Sequence, residues 1–95
     1  MDGKIKGLES EISDIADVLR NGLKNAWNAQ HPGTKIPEYG IKSQMNSGYP
    51  HVEAEIGDET CEIEPGMARG SVWIYGPRKT EVEACLAKSG YRIMN

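Results

Sequence analysis

The chain has 95 residues, of which 38% are hydrophobic and 26% are charged, and these proportions predict one globular domain over residues 1–95. The net charge of −3 disfavours a general nucleic-acid binder, whose surface is usually basic. No apolar run is long enough to cross a membrane, and the charged N-terminal segment MDGKIKG does not resemble a signal peptide. We therefore expect a cytoplasmic protein with no membrane contact.

The first predicted element is an amphipathic helix that ends at residues 31–33, His-Pro-Gly. Its apolar stripe has the three- and four-residue spacing of one helix face and consists of Ile5, Leu8, Ile12, Ile15, Leu19, Gly22 and Ala26. The same spacing also suits heptad packing, so a homodimer through this helix is an alternative to a monomer. Gly22 within the stripe favours packing of the helix on the chain's own sheet.

A strand is predicted at residues 39–45, followed by a turn at 46–50. From residue 51 onward, apolar and polar residues alternate with a period of two on both sides of Gly57-Asp58, which predicts a hairpin with a type I′ or II′ turn. If residue 56 pairs with residue 59, the apolar side chains share one face, and Glu53 lies opposite Glu62. A shift by one residue would mix the two faces, so this register is preferred.

Residues 71–75, SVWIY, are predicted as the third strand of a meander. Val72 and Ile74 point inward and Trp73 and Tyr75 point outward, or the reverse. Thr80 and Glu83 have the spacing of a capping box for a second helix. The predicted fold is thus α+β in α-β-β-β-α order, with a three-stranded antiparallel meander and both helices on one sheet face. A short C-terminal strand within residues 91–94 is a further option.

Residues 51–64 contain six acidic side chains and no Lys or Arg. Facing like charges destabilise a strand pair by a few tenths of a kcal/mol or more, so such a face needs an explanation. One explanation is a surface that only keeps the protein soluble. The other is a docking surface for a basic partner, with exposed aromatic side chains such as Tyr49 at its margin.

Motifs for catalysis or for metal binding are not apparent in the sequence. His31 and His51 are isolated at turns and strand ends and are expected to be solvated, and the strand glutamates do not resemble a Ca²⁺ loop. Cys61 and Cys85 show no metal-binding spacing and are predicted to be two buried thiols. We therefore expect a protein that is not an enzyme and has neither a metal nor a cofactor.

Three short motifs resemble those of the double-stranded RNA-binding domain. They are Pro37-Glu38-Tyr39 at the entry to the first strand, Gly48-Tyr49-Pro50-His51, and Arg78-Lys79-Thr80 at the start of the last helix. The resemblance implies α-β-β-β-α order and binding of duplex RNA. The RNA contacts would come from the loop of residues 48–51 together with Arg78 and Lys79.

The preferred hypothesis is a small binding protein that contacts a basic protein surface through its acidic sheet face. By analogy of type, it would be a phage or mobile-element inhibitor of a host nucleic-acid-binding machine, as anti-CRISPR proteins are. Its predicted partner-binding residues are Glu53, Glu55, Asp58, Glu62, Glu64, Trp73 and Tyr75. The RNA-binding interpretation is the alternative.

Overall fold

The computed structural model describes residues 2–45 and 48–95. Within α1, side chains are described only after residue 6. The elements, in chain order, are α1 (Asp2–Gln30), β1 (Tyr39–Gln44), β2 (His51–Ile56), β3 (Glu59–Pro65), β4 (Ser71–Tyr75), α2 (Lys79–Lys88) and β5 (Arg92–Ile93). This arrangement confirms the α+β fold class. Two predicted features, the side chain of Ile5 and part of the turn at 46–50, lie outside the described residues.

The five strands form one sheet in the order β1-β2-β3-β4-β5. The antiparallel meander has four strands and not the predicted three, because β1 pairs with β2 along its whole length, from Tyr39 opposite Ile56 to Gln44 opposite His51. The short C-terminal strand is also present. It pairs with β4 in parallel, as expected when a helix connects two neighbouring strands.

The central hairpin has the predicted register. Ile56 pairs with Glu59 and Glu53 pairs with Glu62. Gly57 has a φ of 64°, whereas Asp58 keeps a negative φ, which is the pattern of a type II′ turn. The period-two sequence and the glycine at the turn were therefore sufficient to fix which side chains share a face.

Both helices cover the same face of the sheet. The core consists of apolar side chains from the two helices and from the inner face of β2, β3 and β4, among them Ile12, Ile15, Leu19, Leu23, Trp27, Val52, Ile63, Val72, Ile74, Val82 and Leu86. An antiparallel sheet packed in this way leaves its other face in contact with water. The apolar stripe of α1 from Ile12 to Trp27 is thus buried within the chain itself, and dimerisation through this helix stays a prediction. Within the described residues, neither helix contains an apolar stretch long enough to cross a bilayer.

The start of α2 differs from the prediction. The helix begins at Lys79, and its N-cap is Arg78, which has a left-handed backbone (φ 65°) and makes no capping hydrogen bond with its side chain. The Thr80–Glu83 capping box is therefore wrong. Tertiary contacts explain the early start, because Arg78 Nε donates to Glu59 Oε1 at 2.9 Å and its guanidinium lies 4.9 Å from the Trp27 ring centre.

Both cysteines are free and buried, as predicted. Burial raises the pKa of Cys61 to about 12 and also raises the pKa of Cys85. The Cys85 Sγ donates weakly to the carbonyl oxygen of Val18 at 3.5 Å. A Cβ placed on Gly22 would lie only 3.0 Å from that sulfur, so glycine allows α1 and α2 to approach closely at this point.

Candidate functional site

The uncovered side of the sheet, called the outer face below, carries most of the residues predicted to bind a partner. Strand pairing aligns a row of side chains across four strands, from Lys42 through Glu53 and Glu62 to Tyr75. In the next row, Glu64 is paired with Trp73. The outer face is defined by Lys42, Glu53, Glu55, Glu62, Glu64, Trp73 and Tyr75.

The aromatic side chains of β4 point outward, which settles the orientation that the sequence left open. Trp73 is 36% exposed and Tyr75 is 44% exposed, whereas Val72 and Ile74 are buried. Asp58 is exposed in the hairpin turn, at the end of β2 away from His51. The structure thus brings together six of the seven predicted residues and leaves Asp58 at the tip.

His51 is buried on the outer face. Only 4% of the residue is exposed, so the prediction of a solvated histidine is wrong here. Its Nδ1 lies 3.0 Å from the carbonyl oxygen of Tyr49, and its Nε2 lies 3.0 Å from Glu53 Oε2 and 3.9 Å from Glu62 Oε1. We call His51, Glu53 and Glu62, with Tyr49 and Gln44 around them, the His51 cluster.

Two further side chains hold the carboxylates of the His51 cluster. The Tyr49 hydroxyl donates to Glu62 Oε2 at 2.5 Å, and the Tyr49 ring centre lies 5.0 Å from that of His51. The Gln44 amide donates to Glu53 Oε1 at 3.4 Å. Each carboxylate therefore has one oxygen bound to an outer donor and the other directed toward His51.

The electrostatics of the cluster favour positive charge at its centre. Burial alone would lower the pKa of His51. The hydrogen bonds to Glu53 and to the Tyr49 carbonyl, together with the charge of Glu62, outweigh burial and raise this pKa above 6.5. The hydrogen bond from His51 lowers the pKa of Glu53. Burial and the neighbouring Glu62 raise the pKa of Glu64. The hydrogen bond to Glu62 raises the pKa of Tyr49 to about 12.

The other histidine, His31, belongs to a different cluster, which lies where α1 ends and α2 begins. His31 Nε2 lies 2.5 Å from Glu81 Oε2, and Glu81 is only 4% exposed. The guanidinium of Arg78 approaches the same carboxylate at 3.8 Å, and the ring of Trp27 lies 4.2 Å from that of His31. We call these four residues, with Glu59, the His31 cluster.

The residues implied by the RNA-binding resemblance are separated and already engaged. Arg78 belongs to the His31 cluster and pairs with Glu59 beside the hairpin turn, whereas His51 lies at the opposite end of β2. The Lys79 Nζ donates to the backbone oxygen of Asn95 at 3.3 Å. Of the loop at 48–51, Gly48 and Tyr49 are exposed.

Sequence reasoning missed the His51 cluster, although part of its signal was present. A two-residue spacing places His51 and Glu53 on one strand face, and the predicted register places Glu62 opposite Glu53. What the alternation did not predict is that Tyr49, outside the strand, would place its ring near the imidazole and donate a hydrogen bond to Glu62.

Comparisons with protein-family models, with curated protein sequences and with solved structures found no match to this chain. The geometry of the outer face and of the two histidine clusters carries the functional argument.

Proposed function

We propose that this protein is a non-enzymatic binding module that docks a basic protein surface on its outer face. The observation that supports the proposal most strongly is the direct pairing of Glu53 with Glu62 on a face that neither helix covers. This pairing concentrates negative charge at the centre of an accessible surface.

The negative charge of the outer face is only partly compensated within the described residues. Lys42 Nζ pairs with Glu55 at 3.3 Å. Among the ion pairs of the described residues, Glu53, Glu62 and Glu64 have no lysine or arginine partner. Like charges opposite each other destabilise a sheet, and a basic partner would offset this cost. It would also associate quickly and with a strong dependence on salt.

The aromatic margin gives the face a second type of contact. Trp73 is paired across the strands with Glu64, and Tyr75 is paired with Glu62. An arginine of the partner can therefore bind a carboxylate and stack on the adjacent ring at the same time, an arrangement that adds cation–π attraction. Exposed Trp and Tyr side chains are also frequent energetic centres of protein interfaces.

A more specific version of the proposal has the partner as a host nucleic-acid-binding machine that a phage or mobile-element protein inhibits. This version, of the anti-CRISPR type, stays a prediction by analogy. The RNA-binding alternative has weaker support, because duplex binding requires cations that can neutralise phosphates. The guanidinium of Arg78 is already paired with Glu59 and lies near Glu81.

The proposal is tested by reversing charge on the outer face and, separately, elsewhere. We would compare the wild type with a Glu55→Lys, Glu64→Lys double variant. The matched control is Glu9→Lys with Asp17→Lys, which makes the same charge change at exposed positions of α1. Each protein is immobilised and used to capture partners from lysate, and the captured partner is then purified for measurements of association rate at two salt concentrations.

Support requires a partner that binds the wild type and the α1 control, is lost with the outer-face variant, and associates more slowly at high salt. Equal capture by the outer-face variant contradicts the proposal. A mobility shift of duplex RNA that the Arg78→Ala, Lys79→Ala variant abolishes would instead establish the RNA-binding alternative.

A further inference from the structure

The His51 cluster has an atomic arrangement that favours a positive charge at its centre. The carbonyl oxygen of Tyr49 can only accept a hydrogen bond, so the Nδ1 of His51, 3.0 Å away, must carry a hydrogen. In the neutral imidazole this leaves a lone pair on Nε2. The nearest groups to Nε2 are oxygens of Glu53 and Glu62, which as carboxylates are acceptors too. The Nε2 therefore either carries a second proton, so that the imidazolium itself is the positive charge between the two carboxylates, or coordinates a cation in the same place.

The groups around the cluster leave one atom of each residue directed toward its centre. The Gln44 amide binds Glu53 Oε1 and leaves Oε2 toward His51. The Tyr49 hydroxyl binds Glu62 Oε2 and leaves Oε1 inward. A histidine that donates its other N–H to a backbone carbonyl, beside carboxylates held by outer donors, is the usual surrounding of a bound metal.

We propose that the His51 cluster binds Zn²⁺ through His51 Nε2, Glu53 Oε2 and Glu62 Oε1. The three residues offer ligand atoms that lie within 4.8 Å of one another. Tetrahedral Zn²⁺ with bonds of about 2.0–2.1 Å requires ligand atoms roughly 3.4 Å apart, so small side-chain rotations are sufficient. The nitrogen ligand and the low number of oxygens favour Zn²⁺ over Ca²⁺, which takes six to eight oxygen ligands.

The ligand set leaves a fourth coordination position for water or for a neighbouring group. Glu64, next to Glu62 on the same strand face, is the nearest acidic side chain along β3. The metal would place two positive charges where Glu53 and Glu62 oppose each other, and so would remove the repulsion between them. This site differs from the sequence-based expectation of no metal, and it does not depend on the proposed partner.

The test uses the purified full-length chain, freed of metal with a chelator, and Zn²⁺ alone as the probe. Binding is measured by calorimetry and by the increase in thermal stability, which a ligand specific for the folded state must produce. Wild type and the His31→Ala variant should bind one equivalent of Zn²⁺. The His51→Ala variant should bind none, and Tyr49→Phe, which removes only an outer hydroxyl, should bind about 10-fold more weakly.

A second ligand variant protects the test against misfolding. Glu62→Gln retains the size of the side chain and its capacity to accept the Tyr49 hydroxyl, so it should fold normally and lose at least about 10-fold in affinity. Equal affinity of the wild type and Glu62→Gln would overturn the proposal. It would also be overturned by the absence of saturable binding up to about 1 mM Zn²⁺, which would assign a proton to the Nε2 of His51. Because no partner enters the measurement, failure of the docking proposal would not affect it.

Discussion

The two histidine clusters pair the same chemical groups but differ in their balance of charge. In the His31 cluster, the buried Glu81 contacts the imidazole of His31 and the guanidinium of Arg78, and Arg78 also binds Glu59. In the His51 cluster, one imidazole faces two carboxylates. The first cluster contains one additional positive charge, that of Arg78, and joins elements that are distant in sequence. The second has an excess of negative charge on an accessible face.

This difference indicates which cluster contributes stability and which is available for binding. The buried carboxylate of Glu81, between His31 and Arg78, holds α1, β3 and α2 together, and its removal leaves the charge of Arg78 without this partner in a partly dry environment. A cluster with excess like charge lowers stability and gains from an external cation or a basic partner. Stability measurements should therefore distinguish the two regions directly.

The largest expected difference comes from the two tryptophans. Trp27→Ala should lower the free energy of unfolding by about 3–5 kcal/mol, because Trp27 is 3% exposed, donates to the carbonyl of Thr34 at 2.9 Å and supports Arg78. Trp73→Ala, on the outer face, should cost about 1 kcal/mol or less. Urea denaturation measures both. Similar losses in the two variants would show that Trp73 belongs to the core.

A smaller difference is expected from one substitution made in each cluster. Glu81→Gln should destabilise the protein by about 1.5–3 kcal/mol, because hydrogen bonds to charged groups contribute that much. Glu62→Gln should leave stability unchanged or raise it by a few tenths of a kcal/mol, because it removes one of two opposed charges. Destabilisation by Glu62→Gln equal to that of Glu81→Gln would eliminate the distinction between the clusters. Denaturation at low salt gives the clearest comparison.

The smallest effect concerns the dependence of stability on pH. Burial alone would raise the pKa of Glu81, but the hydrogen bond to His31 and the charge of Arg78 lower it below 4.5 in the folded state. The unfolded chain therefore takes up this proton at a higher pH than the folded protein does. The contribution of Glu81 is complete above the unfolded pKa and is lost as the pH falls through the folded pKa.

Unfolding free energies measured from neutral pH down to acid should consequently decline less steeply for Glu81→Gln than for the wild type. Parallel curves for the two proteins would indicate that the carboxylate of Glu81 gains nothing from its contacts with His31 and Arg78. The measurement is best made in metal-free buffer, so that only protons titrate the carboxylates.

Local patterns predicted much of the fold and of the outer face. The alternation of Val52, Ala54 and Ile56 with glutamates, together with Gly57, fixed the hairpin register, and the register placed Glu53 opposite Glu62. The apolar stripe of α1 likewise predicted its buried side. These features depend on neighbours in sequence, where helix and strand periodicities are informative.

The missed features depend on contacts between distant residues. His31 and Glu81 are separated by 50 positions, so no local pattern pairs them. Arg78 likewise contacts Glu59 and Trp27, which are distant in sequence. With these contacts Arg78 has a left-handed backbone, and α2 starts before the expected capping box. The contacts of His51 with Tyr49 were missed because Tyr49 belongs to a loop and not to the alternating strand. Prediction failed where side chains from several elements meet.

The two buried thiols have a practical consequence for following complexes of this protein in solution. Maleimide and iodoacetamide reagents attack the thiolate, which is scarce at neutral pH because burial raises the pKa of both Cys61 and Cys85. A new cysteine in place of Glu55, a partly exposed residue of the outer face, should therefore react first. A fluorophore or spin label at that position can monitor docking and metal binding while both natural cysteines remain in the protein.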